Sequence, residues 1–235
     1  MARRLKCELI SWARIYELTR RLSLRILKTA FRPGLVVAIG RGGYVPARIV
    51  CDFLEISDLT AIKIEHWGMG AQKQDAALLR FPLNIDVSGQ KILVVDDVTD
   101  TGDTLRTAST YLLQQYPAEV RTAVIQHKAS SRFLPDYFGQ KIVKWRWIIY
   151  PWAAVEDLTG FLRQMDPAPQ SFDEAAKRLI ADYDLQPPRR LLENVWLLNK
   201  GKIPNPSRKT ITDPAQSAIS VITCKRRAKL ARKGN

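Results

Sequence analysis

Lys91-Ile-Leu-Val-Val-Asp-Asp-Val-Thr-Asp-Thr-Gly-Asp-Thr104 is the stretch on which the reading of this chain turns. Its apolar, β-branched run at 92–95 has the character of a strand buried on both faces. That strand delivers two adjacent carboxylates, Asp96 and Asp97, to its C-terminal end, with Asp100 close behind. The Asp-Thr-Gly-Asp-Thr turn at 100–104 then feeds a helix-like segment at 105–115. In open parallel α/β sheets the ligand crevice lies outside the carboxyl ends of the strands, at turns of this kind. Backbone N–H groups around Gly102 can hold a phosphate, and the Thr101 and Thr104 hydroxyls add donors. Two neighbouring carboxylates repel unless a cationic or polyhydroxyl partner accounts for them. The combination suits a substrate that brings a phosphate, a polyol and a magnesium ion together.

Working outward, residues 36–39 read as a strand, a Gly-rich turn follows, and residues 45–54 read as a helix. Further strands are predicted at 60–65, 120–126 and 142–149. Residues 8–30 read as an amphipathic helix, with Leu9, Trp12, Tyr16, Leu22 and Ile26 at helical spacing, ended by Phe31-Arg-Pro-Gly34. Residues 66–81 contain Gly68, Gly70 and a polar stretch at 72–75 without periodicity, which predicts a long mobile loop of the kind that often covers a site. Alternating strands and helices predict an α/β fold built on a doubly wound parallel sheet. Pro151 and Pro167-Ala-Pro169 mark a boundary, after which short helices at 172–183 and 191–198 make a small helical C-terminal extension. Residues 199–216 read as a loop, and 225–233 as a basic run. The expected division is 1–166 as the main domain, 167–200 as the helical extension and 201–235 as a basic, partly irregular segment.

Four apolar residues, two acids and then Asp-Thr-Gly-x-Thr resemble the phosphoribosyl-diphosphate (PRPP) motif of the type I phosphoribosyltransferases. Val36-Val-Ala-Ile-Gly-Arg-Gly-Gly43 resembles the diphosphate loop of the purine enzymes. His127-Lys128, Pro135-Asp-Tyr-Phe-Gly139 and Trp147-Ile-Ile-Tyr-Pro-Trp152 resemble the base-binding half of the 6-oxopurine class. The likeness spans roughly residues 8–157 and stops beyond it; the member it resembles is an archaeal-type purine enzyme, here with a C-terminal extension. It implies a Mg2+-dependent enzyme of purine salvage that transfers the phosphoribosyl group of PRPP to N9 of a purine. Diphosphate and a nucleoside 5′-monophosphate are the products.

The same resemblance distributes roles. Asp100 is the general acid/base at N7. PRPP is bound by Arg41, Gly42, Gly43, Asp96, Asp97, Thr99, Asp100, Thr101, Gly102, Asp103 and Thr104. Asp96 and Asp97 hold the ribose hydroxyls and the metal. Lys128 donates to the 6-oxo group, Trp147 stacks on the base and the Ile148 backbone reads its edge. A cis peptide is implied at Gly40–Arg41. Hypoxanthine, guanine and xanthine come first as substrates, and adenine stays open because some archaeal members of this architecture take it. Two positions depart from the family pattern. Asp103 stands where a small or basic residue is usual, and is expected to point outward. Ala153 and Ala154 stand where related enzymes carry an acid near a second metal, with Glu156 and Asp157 arriving later.

Composition bounds the alternatives. At 235 residues with 46% hydrophobic and 26% charged residues, the chain reads as an ordinary soluble protein. No apolar run reaches membrane length, no secretory signal is expected because the charged start at 1–8 has no hydrophobic region after it, and Cys7, Cys51 and Cys224 suit reduced thiols in the cytoplasm. The glycines at 40–43 do not follow the dinucleotide-binding spacing, and no Walker motif or Ser-His-Asp arrangement is present. Of the +14 net charge, residues 177–235 carry +10, from 14 Lys and Arg against 4 Asp and Glu. Such a segment attracts phosphates without sequence preference. The rival reading is therefore a PRPP-sensing transcription regulator that binds nucleic acid through this segment. A solvated tail or subunit-contact element is favoured over it, within a homodimer or higher homo-oligomer.

Overall fold

The computed structural model describes residues 5–67 and 73–200. At its centre is strand β5 (Lys91–Thr99), flanked by β2 (Leu35–Gly40) and β6 (Glu119–Lys128), both parallel to it. β3 (Leu59–Trp67) and β4 (Lys73–Phe81) extend the sheet beyond β2, and β7 (Tyr137–Ile142) lies beyond β6. The order is β4-β3-β2-β5-β6-β7, parallel throughout except for the antiparallel edge strand β4.

Alternation along β5 explains the two helical layers. Leu93 and Val95 face α1 (Trp12–Leu27) and α2 (Tyr44–Leu54), packing with Leu22, Ile26, Ala47 and Val50. Ile92 and Val94 face the other way, onto Leu105, Ala108 and Leu112 of α3 (Asp103–Leu113). Each fully buried Leu, Ile or Val side chain here contributes roughly 1.5–3 kcal/mol. The sheet is thus wound with helices on both faces, as its alternating pattern predicts.

A second, two-stranded parallel sheet pairs β1 (Cys7–Leu9) with β8 (Trp147–Ile149). Around it gather α4 (Ala154–Gln164), α5 (Phe172–Tyr183) and α6 (Arg189–Lys200). Cys7, Ile149, Leu158, Phe161, Leu179, Leu192 and Val195 share one buried cluster, so it draws on both sides of the Pro167-Ala-Pro169 stretch. Residues 198–235 separate from 1–197 as a unit, of which the described part is the end of α6.

Several expectations need correction. The loop expected at 66–81 is largely a β-hairpin, with Ile64 opposite Leu79 and Glu65 opposite Leu78. Register shifts along that pair break the alternation that would have marked it. Residues 68–72 lie outside the described residues. The strand expected at 142–149 is the end of β7 and the whole of β8, in different sheets. The first helix begins later than residue 8, because the Ser11 hydroxyl accepts from the Arg14 N–H (3.2 Å) and caps it. Its buried face is Ile15, Leu18, Leu22 and Ile26, while Trp12 and Tyr16 are exposed. Helix α4, directly after Pro151, was not foreseen. Apart from Asn199 and Lys200, which end α6, the expected loop at 199–216 and the basic run at 225–233 fall outside the described residues.

Candidate active site

The register of β5 with its neighbours creates the crevice. Pairing with β2 runs from Leu35–Ile92 to Ala38–Val95, whereas pairing with β6 continues to Thr99–His127. Past Val95 the β2 side of the strand therefore gives way to the turn at 41–43. The Gly40–Arg41 peptide in that turn is cis, as the resemblance implied. Gly42 lies against the Asp97 carboxylate so closely that a Cβ there would come within 2.2 Å of Oδ2. Only a residue without a side chain lets the backbone approach the acid in this way.

Asp96 is buried, and its Oδ1 accepts from the Asp97 N–H at 2.9 Å. Burial, reinforced by the neighbouring Asp97 charge, holds the Asp96 carboxyl well above the usual carboxylate range. Asp97 is also pushed up by burial, against hydrogen bonding from the Val98 backbone. Beside them the Tyr150 hydroxyl donates to Gln126 Oε1 (2.9 Å), and its ring stacks on Trp152 at 4.9 Å. A positive charge or a set of hydroxyl donors beside such a pair relieves its electrostatic cost.

The 100–104 turn starts α3. Gly102 is its N-cap, at φ +92°, and a Cβ there would collide with Phe133 at 2.3 Å. The Arg132 N–H bonds the Thr101 carbonyl (3.1 Å) and braces the turn from behind. Asp103 does not point freely outward as expected. It accepts from the Thr101 hydroxyl at 2.7 Å and pairs with Arg106 at 3.5 Å, so its charge is held on the helix's own flank. Thr104 is half-buried in the first turn of α3. Thr99 is turned into the sheet, its hydroxyl 3.2 Å from His127 Nδ1, so its side chain is not brought to the crevice.

Asp100 and Lys128 meet across the ends of β5 and β6. Lys128 Nζ lies 2.7 Å from Asp100 Oδ2, and both side chains are largely buried. Burial lowers the Lys128 pKa, and the Asp100 charge opposes that shift. Trp147, half-buried in β8, has its ring 5.9 Å from Lys128 Nζ, while the Ile148 side chain is buried with Ile15, Leu18 and Ile125. Arg41 Nη2 lies 2.8 and 2.7 Å from the two carboxylate oxygens of Glu156 in α4, showing that this guanidinium already grips an oxyanion. Asp157 next to it is buried, which pushes its carboxyl up to about 7, with the Trp147 indole opposing the shift.

Sequence reasoning missed Trp145, whose Nε1–H donates to Asp100 Oδ1 at 2.9 Å and whose ring centroid lies 4.4 Å from Lys128 Nζ. The one available signal was its position two residues before Trp147. It also missed the pairing of Glu156 with Arg41, which no local pattern announces.

A family described as the phosphoribosyl transferase domain matches residues 8–156. A xanthine-guanine phosphoribosyltransferase from Desulfotalea psychrophila is 32% identical over 143 residues, covering 61% of this chain and 84% of that protein. The crystal structure of a purine phosphoribosyltransferase from Pyrococcus horikoshii aligns with a TM-score of 0.54 at 23% identity, over 63% of this chain and 94% of its own, a likeness of fold. A Neisseria gonorrhoeae protein crystallised with bound ppGpp aligns with a TM-score of 0.57 at 25% identity, over 66% and 93% of the two chains.

Proposed function

Because the chain belongs to the phosphoribosyl transferase domain family, we infer that it is an enzyme that transfers the phosphoribosyl group of PRPP to a purine. The new bond joins N9 of the base to C1′, the bond from C1′ to diphosphate breaks, and a nucleoside 5′-monophosphate results. The observation that carries the reading is Asp100 set 2.7 Å from Lys128 at the carboxyl ends of adjacent strands, directly after the Asp96–Asp97 pair. A carboxylate and an ammonium side by side match the imidazole N–H and the 6-oxo group of an oxopurine.

In this proposal Asp100 takes up the proton at N7 as N9 becomes the nucleophile. Lys128 donates to the 6-oxo oxygen. A 6-amino group would instead present a donor to a buried cation, and sites built for one hydrogen-bond polarity reject the other strongly. With the xanthine-guanine relative beside this argument, guanine, xanthine and hypoxanthine are the proposed substrates. Trp147 and the Ile148 backbone form the base-side wall. The N–H groups and hydroxyls of residues 101–104 hold the 5′-phosphate at the start of α3. Arg41, with Gly42 and Gly43, receives the diphosphate, which replaces Glu156 as the oxyanion partner of the guanidinium.

Asp96 and Asp97 fit a magnesium ion. They offer hard oxygen donors, and two carboxyls side by side, Asp96 buried, gain from a nearby positive charge, which supports the reading. Among the described residues no cluster of three or more His, Cys, Asp or Glu forms a closed cage, so the substrate's own oxygens would complete the coordination. When bound, the ion would neutralise charge on the departing diphosphate. The proposal extends to a homo-oligomer, since α1 exposes Trp12 and Tyr16, and to a three-part chain divided near residues 166 and 200. Among the described residues no helix is long and apolar enough to cross a membrane.

The direct test incubates the protein with PRPP, magnesium and each of guanine, xanthine, hypoxanthine and adenine. Nucleotide and diphosphate should form in equal amounts with the 6-oxopurines. No turnover with any base, together with tight DNA binding at moderate salt, would replace the enzyme with the regulator.

A further inference from the structure

We propose that Trp145 is a positioning residue that competes with the purine for Asp100 and so sets the affinity for the base. The inference rests on the purine-transfer reading above and concerns a side chain to which that reading gives no role. Both oxygens of the Asp100 carboxylate are taken by groups of the chain itself, Oδ2 by Lys128 Nζ at 2.7 Å and Oδ1 by Trp145 Nε1 at 2.9 Å. Each carboxylate oxygen can accept a second hydrogen bond, but a purine that meets Asp100 edge-on must share Oδ1 with a whole indole ring or displace it. Lys128 is the costly one to lose, because it is a buried cation whose charge partner is Asp100. The indole is neutral and 43% exposed, so it is the partner that yields.

The chemistry of the displaced group matches that of its competitor. Indole is a six-membered ring fused to a five-membered ring that carries an N–H, which is also the plan of the purine edge at N7. Trp145 presents that N–H to the carboxylate while its ring lies 4.4 Å from Lys128 Nζ. One aromatic side chain therefore engages both groups proposed to recognise the base.

Its place in the fold allows it to leave. Residues 143–146 link the end of β7, in the six-stranded sheet, to the start of β8, in the two-stranded sheet, and belong to neither ladder. Val143 in this link is 80% exposed. Trp147, by contrast, is fixed in β8 opposite Cys7. The two tryptophans thus have different roles, Trp147 as a set wall and Trp145 as a partner exchanged for the base. A competing intramolecular contact reduces apparent affinity by the fraction of time the acid is free, and removing the competitor restores it.

The test is Trp145→Phe, which keeps an aromatic ring and deletes the N–H. Steady-state kinetics should show KM for guanine falling about tenfold, with kcat and KM for PRPP almost unchanged. Equilibrium titration with 9-deazaguanine, which carries the N7 proton and cannot react at position 9, should show the same tightening. A rise in KM for guanine would mean that the ring supports the bound base, and an unchanged KM would mean that no competition exists. Either result overturns the proposal while leaving purine transfer intact. A wild-type protein inactive with every purine would instead remove the reading on which it rests, which keeps the two failures apart.

Discussion

At Asp100 a single oxygen-to-nitrogen exchange should separate chemistry from binding. Asp100→Asn keeps the shape and can still accept from Trp145, but it cannot take up the N7 proton. We expect kcat to fall by about 10²–10⁴-fold while PRPP binding is largely retained, and equal turnover would remove the acid/base role. Asp157 offers a prediction in pH. Its carboxyl keeps its proton in the folded protein up to about 7, whereas the unfolded chain releases it near 3.8. Between those values the folded state binds more protons, so its stability falls as pH rises through the window and levels off above it. Asp157→Asn should remove that slope, gaining on the order of 2–4 kcal/mol over the wild type between pH 4 and pH 8 in urea unfolding. Parallel slopes for the two proteins would show that the acid ionises freely. The residues on 96–104 were legible because one strand and one turn carry them in order. Trp145 and Glu156 were not, since their partners lie 45 and 115 positions away and only the folded sheet brings them together.

Among the elements, the start of α3 is the most sensitive. Gly102 combines a φ of +92° with a space that a Cβ would fill against Phe133. Gly102→Ala should cost about 1–3 kcal/mol of stability and raise KM for PRPP, read by thermal shift and PRPP titration. A variant matching the wild type in both would argue against a phosphate turn here. The same element shows why some of the fold could be read directly. The run at 92–95 is buried on both faces, so its unbroken apolar character is itself the strand signal. β4 lies at a sheet edge and pairs with β3 through register shifts, so neither an apolar run nor strict alternation marks it. β8 has three residues, too few to show any period.

Over the whole molecule, the division proposed at residue 166 falls between two helices that share one buried cluster. Leu158, Phe161 and Leu162 of α4 pack with Ala175 and Leu179 of α5 and with Leu192 and Val195 of α6. Ending the chain after Asp166 should expose that face and give an insoluble or poorly stable product, whereas ending it after Lys200 should retain guanine turnover. Comparable yield and melting temperature for the two truncations would refute this. The small sheet carries a further consequence. Cys7 is matched to Trp147, and the cluster around them closes only with Val195. During vectorial synthesis the first strand leaves the ribosome long before β8, its hydrogen-bonded partner, so the nascent chain carries an unmatched strand edge until residues 147–149 have emerged. The wall proposed to receive the purine is then the last part of the pocket to come into being, and a half-made chain has none.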